Sequence, residues 1–173
     1  IIPTILVNGC KAGIGTGWST SIPCYNPKDI MNNMLRYLNN EELEPLTPWY
    51  RGFRGRIIKT SDTSFVSKGI FKIVGDSVEI TELPIHVWTD KYKEFLENII
   101  IETSKSDDKK KKLNIIRYYD SYCSDNRIHF NLYFPKGELA KSKWKKIVDE
   151  DTQTTYLEKT LKLVSSISTN NMN

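Results

Sequence analysis

Histidine and cysteine are scarce in this 173-residue chain: His86 and His129 on one side, Cys10, Cys24 and Cys123 on the other. No two cysteines stand at CxxC spacing, no His-x-x-x-His occurs, and the cysteine count is odd. A zinc site and a disulfide framework are therefore not expected, and reduced thiols in an intracellular protein are. No apolar run reaches the roughly 18 residues of a membrane-spanning helix. Gly-Lys-Ser/Thr, the core of a phosphate-cradling Walker loop, is missing, and no paired-carboxylate constellation stands out for hydrolytic chemistry. The opening Ile-Ile-Pro has no initiator Met, basic n-region or cleavage site, which is expected of a cut from a longer protein rather than of a signal peptide.

What is present is a globular composition, 39% hydrophobic and 27% charged, with room for one ordinary domain and a small appendage. The net charge of +4 is unevenly placed. Residues 1–60 carry seven Lys/Arg against four Asp/Glu, whereas the remainder carries eighteen against seventeen. That basic excess shares its segment with the most distinctive stretch of the chain, residues 5–19, where glycine stands at 9, 13, 15 and 17 and Ile14 lies between two of them. Glycine lets a backbone take positive φ and approach another surface closely. A β-branched residue at the tip of such a loop needs a receiver: a protein core, a nucleotide, or a gap between DNA bases.

The rest of the chain reads as alternating helix and strand. Ile1 to Val7 suits a buried strand or the end of a longer element. Asn26-Pro27 is a cap followed by a first-turn proline, predicting a helix to about Leu38 with Ile30, Met31, Met34, Leu35 and Leu38 on one face. Asn39-Asn40 should end it, and Glu41 to Tyr50 should be a linker packed through Trp49. Residues 54–59, 69–74 and 77–82 read as strands, the last two forming a hairpin about Gly75-Asp76. Thr89 or Asp90 should cap a helix that carries Tyr92, Phe95, Leu96, Ile99 and Ile100 on one side. Glu102 to Lys112 is expected to be an exposed loop. Ile115 to Tyr119 and Arg127 to Phe134 read as strands, the second alternating cleanly with Ile128, Phe130, Leu132 and Phe134 on one face. Lys136 to Lys146 suggests an amphipathic helix facing in through Leu139 and Trp144. Tyr156 to Ser168 should begin helical and end as strand.

Two chemistries compete for the glycine loop. Gly13-Ile14-Gly15-Thr16-Gly17-Trp18 begins like a dinucleotide fingerprint, but Trp18 stands where the third glycine belongs. Pro23 and Pro27 also leave no helix start at the loop to hold a pyrophosphate. The neighbouring Tyr50-Arg51-Gly52-Phe53-Arg54-Gly55-Arg56 fits two readings equally: DNA contact, because arginine forks match phosphate oxygens, or a solvated strand entrance with its aromatics in the core. Apolar wedges of the Ile14 kind enter base steps in DNA-bending proteins. A buried Ile14 in a plain protein-interaction domain stays open as an alternative, as does a nucleotide-binding domain.

The run Ile2-Pro3-Thr4-Ile5-Leu6-Val7-Asn8-Gly9, followed by Gly13-Ile14-Gly15-Thr16-Gly17-Trp18-Ser19, resembles eukaryotic type IIA DNA topoisomerases. The resemblance continues in order through Ile22-Pro23, Asn26-Pro27, Glu41-Glu42-Leu43, Pro48-Trp49-Tyr50-Arg51-Gly52-Phe53, Ile80-Thr81-Glu82-Leu83-Pro84 and Trp88-Thr89. It implies an α+β fold with a mixed or antiparallel sheet and flanking helices. Residues 1–25 would be the end of the winged-helix region of the DNA cleavage core, and 26–173 the tower (shoulder) domain. It implies double-stranded DNA as partner, Ile14 as the residue that enters the bases, and Gly13, Gly15, Thr16, Trp18 and Ser19 shaping that contact. Lys11, Arg51, Arg54 and Arg56 follow as phosphate contacts, partly from charge placement. The parent would be a nuclear, homodimeric isomerase using ATP and Mg²⁺. The fragment itself is expected to be monomeric and inactive and to hold no cofactor, because the family's catalytic tyrosine, metal-binding acids and ATPase domain belong to other segments. Arg36-Tyr37 and Arg117-Tyr118 repeat the family's Arg-Tyr pair without its surroundings, so both tyrosines are expected to pack. One departure stands out: three residues, Cys10-Lys11-Ala12, separate Asn8-Gly9 from Gly13-Ile14-Gly15, where the family usually has two.

Overall fold

The computed structural model describes residues 1–100, 115–124 and 127–169. In chain order the elements are α1 (Thr4–Asn8), β1 (Cys10–Gly15), β2 (Trp18–Ile22), α2 (Pro27–Leu38), β3 (Arg56–Lys59), β4 (Ser64–Lys68), β5 (Ile70–Val74), β6 (Ser77–Glu82), α3 (Thr89–Ile99), β7 (Tyr118–Ser121), β8 (Phe130–Tyr133), a 3-10 turn (Ser142–Lys145), β9 (Ile147–Asp149), β10 (Thr154–Thr155), α4 (Tyr156–Thr160) and β11 (Val164–Ser168). The fold is α+β. It divides into two compact units, residues 1–67 with 166–173, and residues 68–165.

In the first unit β1 and β2 form a two-stranded hairpin, and a small sheet runs in the order β11-β4-β3. Helix α2 begins as its sequence dictates: the Asn26 side chain accepts the Lys28 N–H at 3.0 Å and Pro27 occupies the first turn. It ends at Asn39, with Asn40 at φ 56°. Of its apolar residues only Ile30 is buried; Met31, Leu35 and Leu38 are exposed, so the expected face is only partly covered. Three other expectations are corrected here. Thr4 to Asn8 is a single helical turn with no buried residue, not a strand. Pro48, not Trp49, carries the packing of the linker: Pro48 is buried and bridges Tyr25, whereas Trp49 is 39% exposed. And β4 is an additional strand, hidden because its inward residues include Ser67 and Lys68.

The second unit is built on a four-stranded antiparallel sheet ordered β5-β6-β8-β7. Its hairpin turns at Gly75 (φ 61°), with Val74 opposite Ser77. The inner face presents Val78, Ile80, Phe130 and Leu132, all fully buried, and α3 adds Tyr92, Leu96 and Ile99 to the same cluster. The Tyr92 hydroxyl donates to the Leu161 carbonyl at 2.8 Å, and burial raises its pKa. Inside this unit Lys68 pairs with Glu158 at 2.8 Å and donates to the Thr152 and Gln153 carbonyls. Glu158 completes a capping box on Thr155 at the start of α4.

The α3 cap is neither Thr89 nor Asp90: the helix opens at Thr89 after Trp88, with no side-chain cap. Residues 136–146 do not form the expected helix. Gly137 takes φ 73°, and the Trp144 indole N–H donates to the Glu138 carbonyl at 3.0 Å, leaving a turn and one 3-10 segment. Leu139 and Trp144 are nevertheless buried as expected. The expected loop from Glu102 to Lys112 lies outside the described residues.

Candidate nucleic-acid interface

The glycine segment is a β-hairpin. Gly15 lies opposite Trp18, Ile14 opposite Ser19 and Gly13 opposite Thr20, so Thr16-Gly17 is a two-residue turn. Gly17 has φ 75°, the conformation that an L side chain rarely adopts. Alternation along a strand puts Ile14 and Ser19 on one face and Gly13, Gly15, Trp18 and Thr20 on the other. The tip projects its apolar groups outward: Ile14 is 83% exposed and Trp18 61%. Lys11, Gly15, Thr16 and Ser19 are exposed as well.

Between the Cys10–Ile22 pair and the Gly13–Thr20 pair the register slips by one. Strand β1 takes three steps there against two on β2. A β-bulge of this kind absorbs one residue and leaves the ladder beyond it in phase. The third residue of Cys10-Lys11-Ala12 is thus accommodated at the hairpin's base, and the pairing around Ile14 is uninterrupted.

The base itself is tied down. Gly9, at φ 68°, has the Ile22 carbonyl 2.8 Å from where a Cβ would stand. The Cys24 thiol donates to the Asn8 carbonyl at 3.2 Å, and the Tyr25 N–H to the Leu6 carbonyl at 2.8 Å. The Trp49 N–H donates to the Cys24 carbonyl at 2.7 Å. That last bond fastens the start of the arginine segment beside the hairpin's base. Sequence reading missed it, because Cys24 and Trp49 are far apart in the chain and neither belongs to a periodic element. Tyr50 is half-buried there; burial first, then the neighbouring Cys24 and Tyr25, push its phenol up to about 12. Arg51, Arg54 and Arg56 are all exposed, Arg56 opening β3.

The two competing readings of the loop lose their footing. Ile14 is in no protein core. No helix begins at the hairpin; the next one starts at Pro27, so the fixed dipole that a pyrophosphate needs is not provided. Among the described residues no group of three or more His, Cys, Asp or Glu is placed to hold a metal ion. His129 faces Glu79 at 3.7 Å on the outer side of the second unit's sheet.

One of the two Arg-Tyr pairs departs from expectation. Tyr37 is 72% exposed on α2 and so is not a packing residue, while Arg36 is held by Glu44, by Glu41 at 3.6 Å and by the Glu42 carbonyl. Tyr118 is an exposed strand residue stacked on Tyr133, with ring centroids 4.3 Å apart.

Known proteins carry a similar segment. Residues 1–173 match the family described as the A subunits of DNA gyrase/topoisomerase IV. The chain is 45% identical over 173 residues to DNA topoisomerase 2 of Plasmodium falciparum, covering 99% of this chain and 11% of that protein. It is 38% identical over 173 residues to DNA topoisomerase 2 of Drosophila melanogaster, again covering 99% of the chain and 11% of the relative. It therefore spans about a tenth of the length of these relatives. A crystal structure of the Plasmodium falciparum topoisomerase II DNA-binding, cleavage and re-ligation domain is similar at TM-score 0.81 and 43% identity, with 99% of this chain and 21% of that one aligned.

Proposed function

The chain belongs to the DNA gyrase/topoisomerase IV family of A subunits, among the eukaryotic DNA topoisomerase 2 proteins, and from that premise we propose that it binds and bends the duplex to be cut. Residues 1–25 serve as the end of the winged-helix region and 26–173 as the tower. Ile14 is the wedge. Gly13, Gly15, Thr16, Trp18 and Ser19 shape the tip, and Lys11, Arg51, Arg54 and Arg56 contact phosphates. The parent is an ATP-dependent nuclear isomerase, working as a homodimer, that breaks both strands through tyrosyl-phosphate bonds, passes a second duplex and reseals. The chain alone is a monomer that neither cleaves, relaxes nor hydrolyses ATP. No ATP or Mg²⁺ site is assigned to its residues.

The observation that carries this reading is Ile14, an aliphatic side chain exposed at the tip of a hairpin whose base is braced by backbone hydrogen bonds. Unstacking a base step costs a few kcal/mol, and bending a site of 20–30 base pairs adds roughly 1–6 kcal/mol. A wedge works only where other contacts offset these costs, and the exposed Arg51, Arg54 and Arg56 are suited to do so. The deformation cost depends on the sequence deformed, so the wedge would favour flexible steps and present the scissile phosphates to a nucleophile elsewhere in the parent.

The test introduces Ile14→Ala into the parent enzyme and reads bending of an end-labelled duplex by energy transfer. The expected result is native folding with bending largely lost. Bending equal to that of the native enzyme would remove Ile14 from the mechanism.

A further inference from the structure

Residues 136–146 carry Lys136, Lys141, Lys143, Lys145 and Lys146 against Glu138 alone. The charge of this one turn equals the formal +4 of the whole chain, so all the other residues together balance. The fold does not require so many lysines there. The turn is anchored by Leu139 and Trp144, both buried. Its backbone is held by the Gly137 N–H on the Asp76 carboxylate at 2.9 Å and by the Tyr156 N–H on the Lys146 carbonyl at 2.8 Å. All five lysines lie outside that framework and are exposed. Glu138 pairs with two of them, Lys141 and Lys143, and Lys143 also lies 4.5 Å from the centre of the Trp144 ring. Lys136, Lys145 and Lys146 have no carboxylate partner among the described residues. Like charges gathered in this way repel one another and oppose the compact state. The acids that follow, Asp149, Glu150 and Asp151, stand at the far end of β9, where Asp149 accepts the Asp151 N–H at 3.1 Å and the Thr152 hydroxyl at 2.8 Å.

We propose that this turn is a further contact for duplex DNA, meeting its phosphates through Lys136, Lys145 and Lys146. This rests on the reading that the chain binds duplex DNA, and not on Ile14 as the wedge. Duplex DNA presents one negative charge per roughly 1.7 Å of its axis, a density that lets neighbouring lysines meet separate phosphates. A lysine ammonium is a point charge without the fork of arginine. Contacts to phosphate carry no sequence information, so the turn adds affinity and leaves the choice of site to other residues.

The experiment combines Lys136→Gln, Lys145→Gln and Lys146→Gln in the parent enzyme, and a second variant carries arginine at the same three positions. A labelled duplex is titrated at several salt concentrations, with end-to-end energy transfer read at saturation and thermal unfolding measured alongside. The glutamine variant is expected to flatten the dependence of log Kobs on log salt by at least about one unit. Its unfolding temperature and bend should be native, and the arginine variant should keep the native slope. A native slope in the glutamine variant overturns this inference and leaves duplex binding standing, the turn then serving another partner such as an acidic protein segment. A lower unfolding temperature in the glutamine variant, or equal flattening with arginine, also overturns it, because the lysines would then act through the fold. A native enzyme whose duplex affinity does not change with salt overturns phosphate binding by the chain and this inference together.

Discussion

Glu138 accepts hydrogen bonds from two lysines at once, Lys141 and, at 2.7 Å, Lys143. These bonds draw its carboxyl down from the ordinary 4.5 to about 2. A carboxylate with a depressed pKa contributes stability that is fully present above its unfolded value and is lost as the pH falls through the folded one. The contribution therefore disappears between about pH 4.5 and about pH 2. Both lysine heads are half-exposed, so the effect is modest and screened by salt. Urea unfolding at pH 7 and pH 3 should show a native chain that loses more of its stability on acidification than Glu138→Gln does. Equal losses would mean that the two ion pairs do not hold in solution. The same residue explains a failure of pattern reading. The spacing of Leu139 and Trp144 suits an amphipathic helix, but the Glu138 carbonyl is engaged by the Trp144 indole and Gly137 turns left-handed, so the chain buries both apolar groups without continuous helix.

Elements were legible where local chemistry alone decides them. The Asn26-Pro27 start of α2 and its Asn39-Asn40 end are side-chain and backbone effects within one turn, and both stand as read. The Gly75 turn and the alternation of β8 are local in the same sense. Strand β4 escaped because Lys68 is buried against Glu158 and the Thr152 and Gln153 carbonyls, partners distant in the chain that hydropathy cannot foresee. In the candidate interface the glycines, Ile14 and the arginines were visible, but the hairpin pairing, the bulge that absorbs the residue between Cys10 and Gly13, and the Cys24–Trp49 bond were not. Each depends on which backbone groups meet across the chain, not on residue type. The cap gives a clean test at this scale. Asn26→Ala removes the acceptor for the Lys28 N–H and should lower stability by about 1 kcal/mol. Ser at the same position should recover most of it, measured by denaturant midpoints at constant slope.

For the whole molecule, the proposed function separates two kinds of interaction that ordinary affinity measurements blend. Phosphate contacts release counterions, so log Kobs falls with log salt at a slope of about −0.9 per phosphate neutralised. Insertion of an aliphatic side chain between bases releases none. Arg51, Arg54 and Arg56 are exposed in the segment that follows Trp49, while Ile14 stands exposed near the tip of the hairpin, so substitutions can address either group separately. Replacing the three arginines by alanine in the parent enzyme should flatten the salt dependence by about one unit of slope for each phosphate that is no longer neutralised. The duplex that remains bound at saturation should stay bent. Ile14→Ala should do the reverse, keeping the slope and losing the bend. Titrations of a labelled duplex at several salt concentrations, with energy transfer read at each plateau, give both quantities from one set of samples. An unchanged slope in the triple-arginine variant would mean that these side chains do not touch phosphate. If the arginine variant lost the bend as well as the slope, wedge and phosphate contacts would be a single coupled device, with Ile14 able to enter the stack only while the backbone is held.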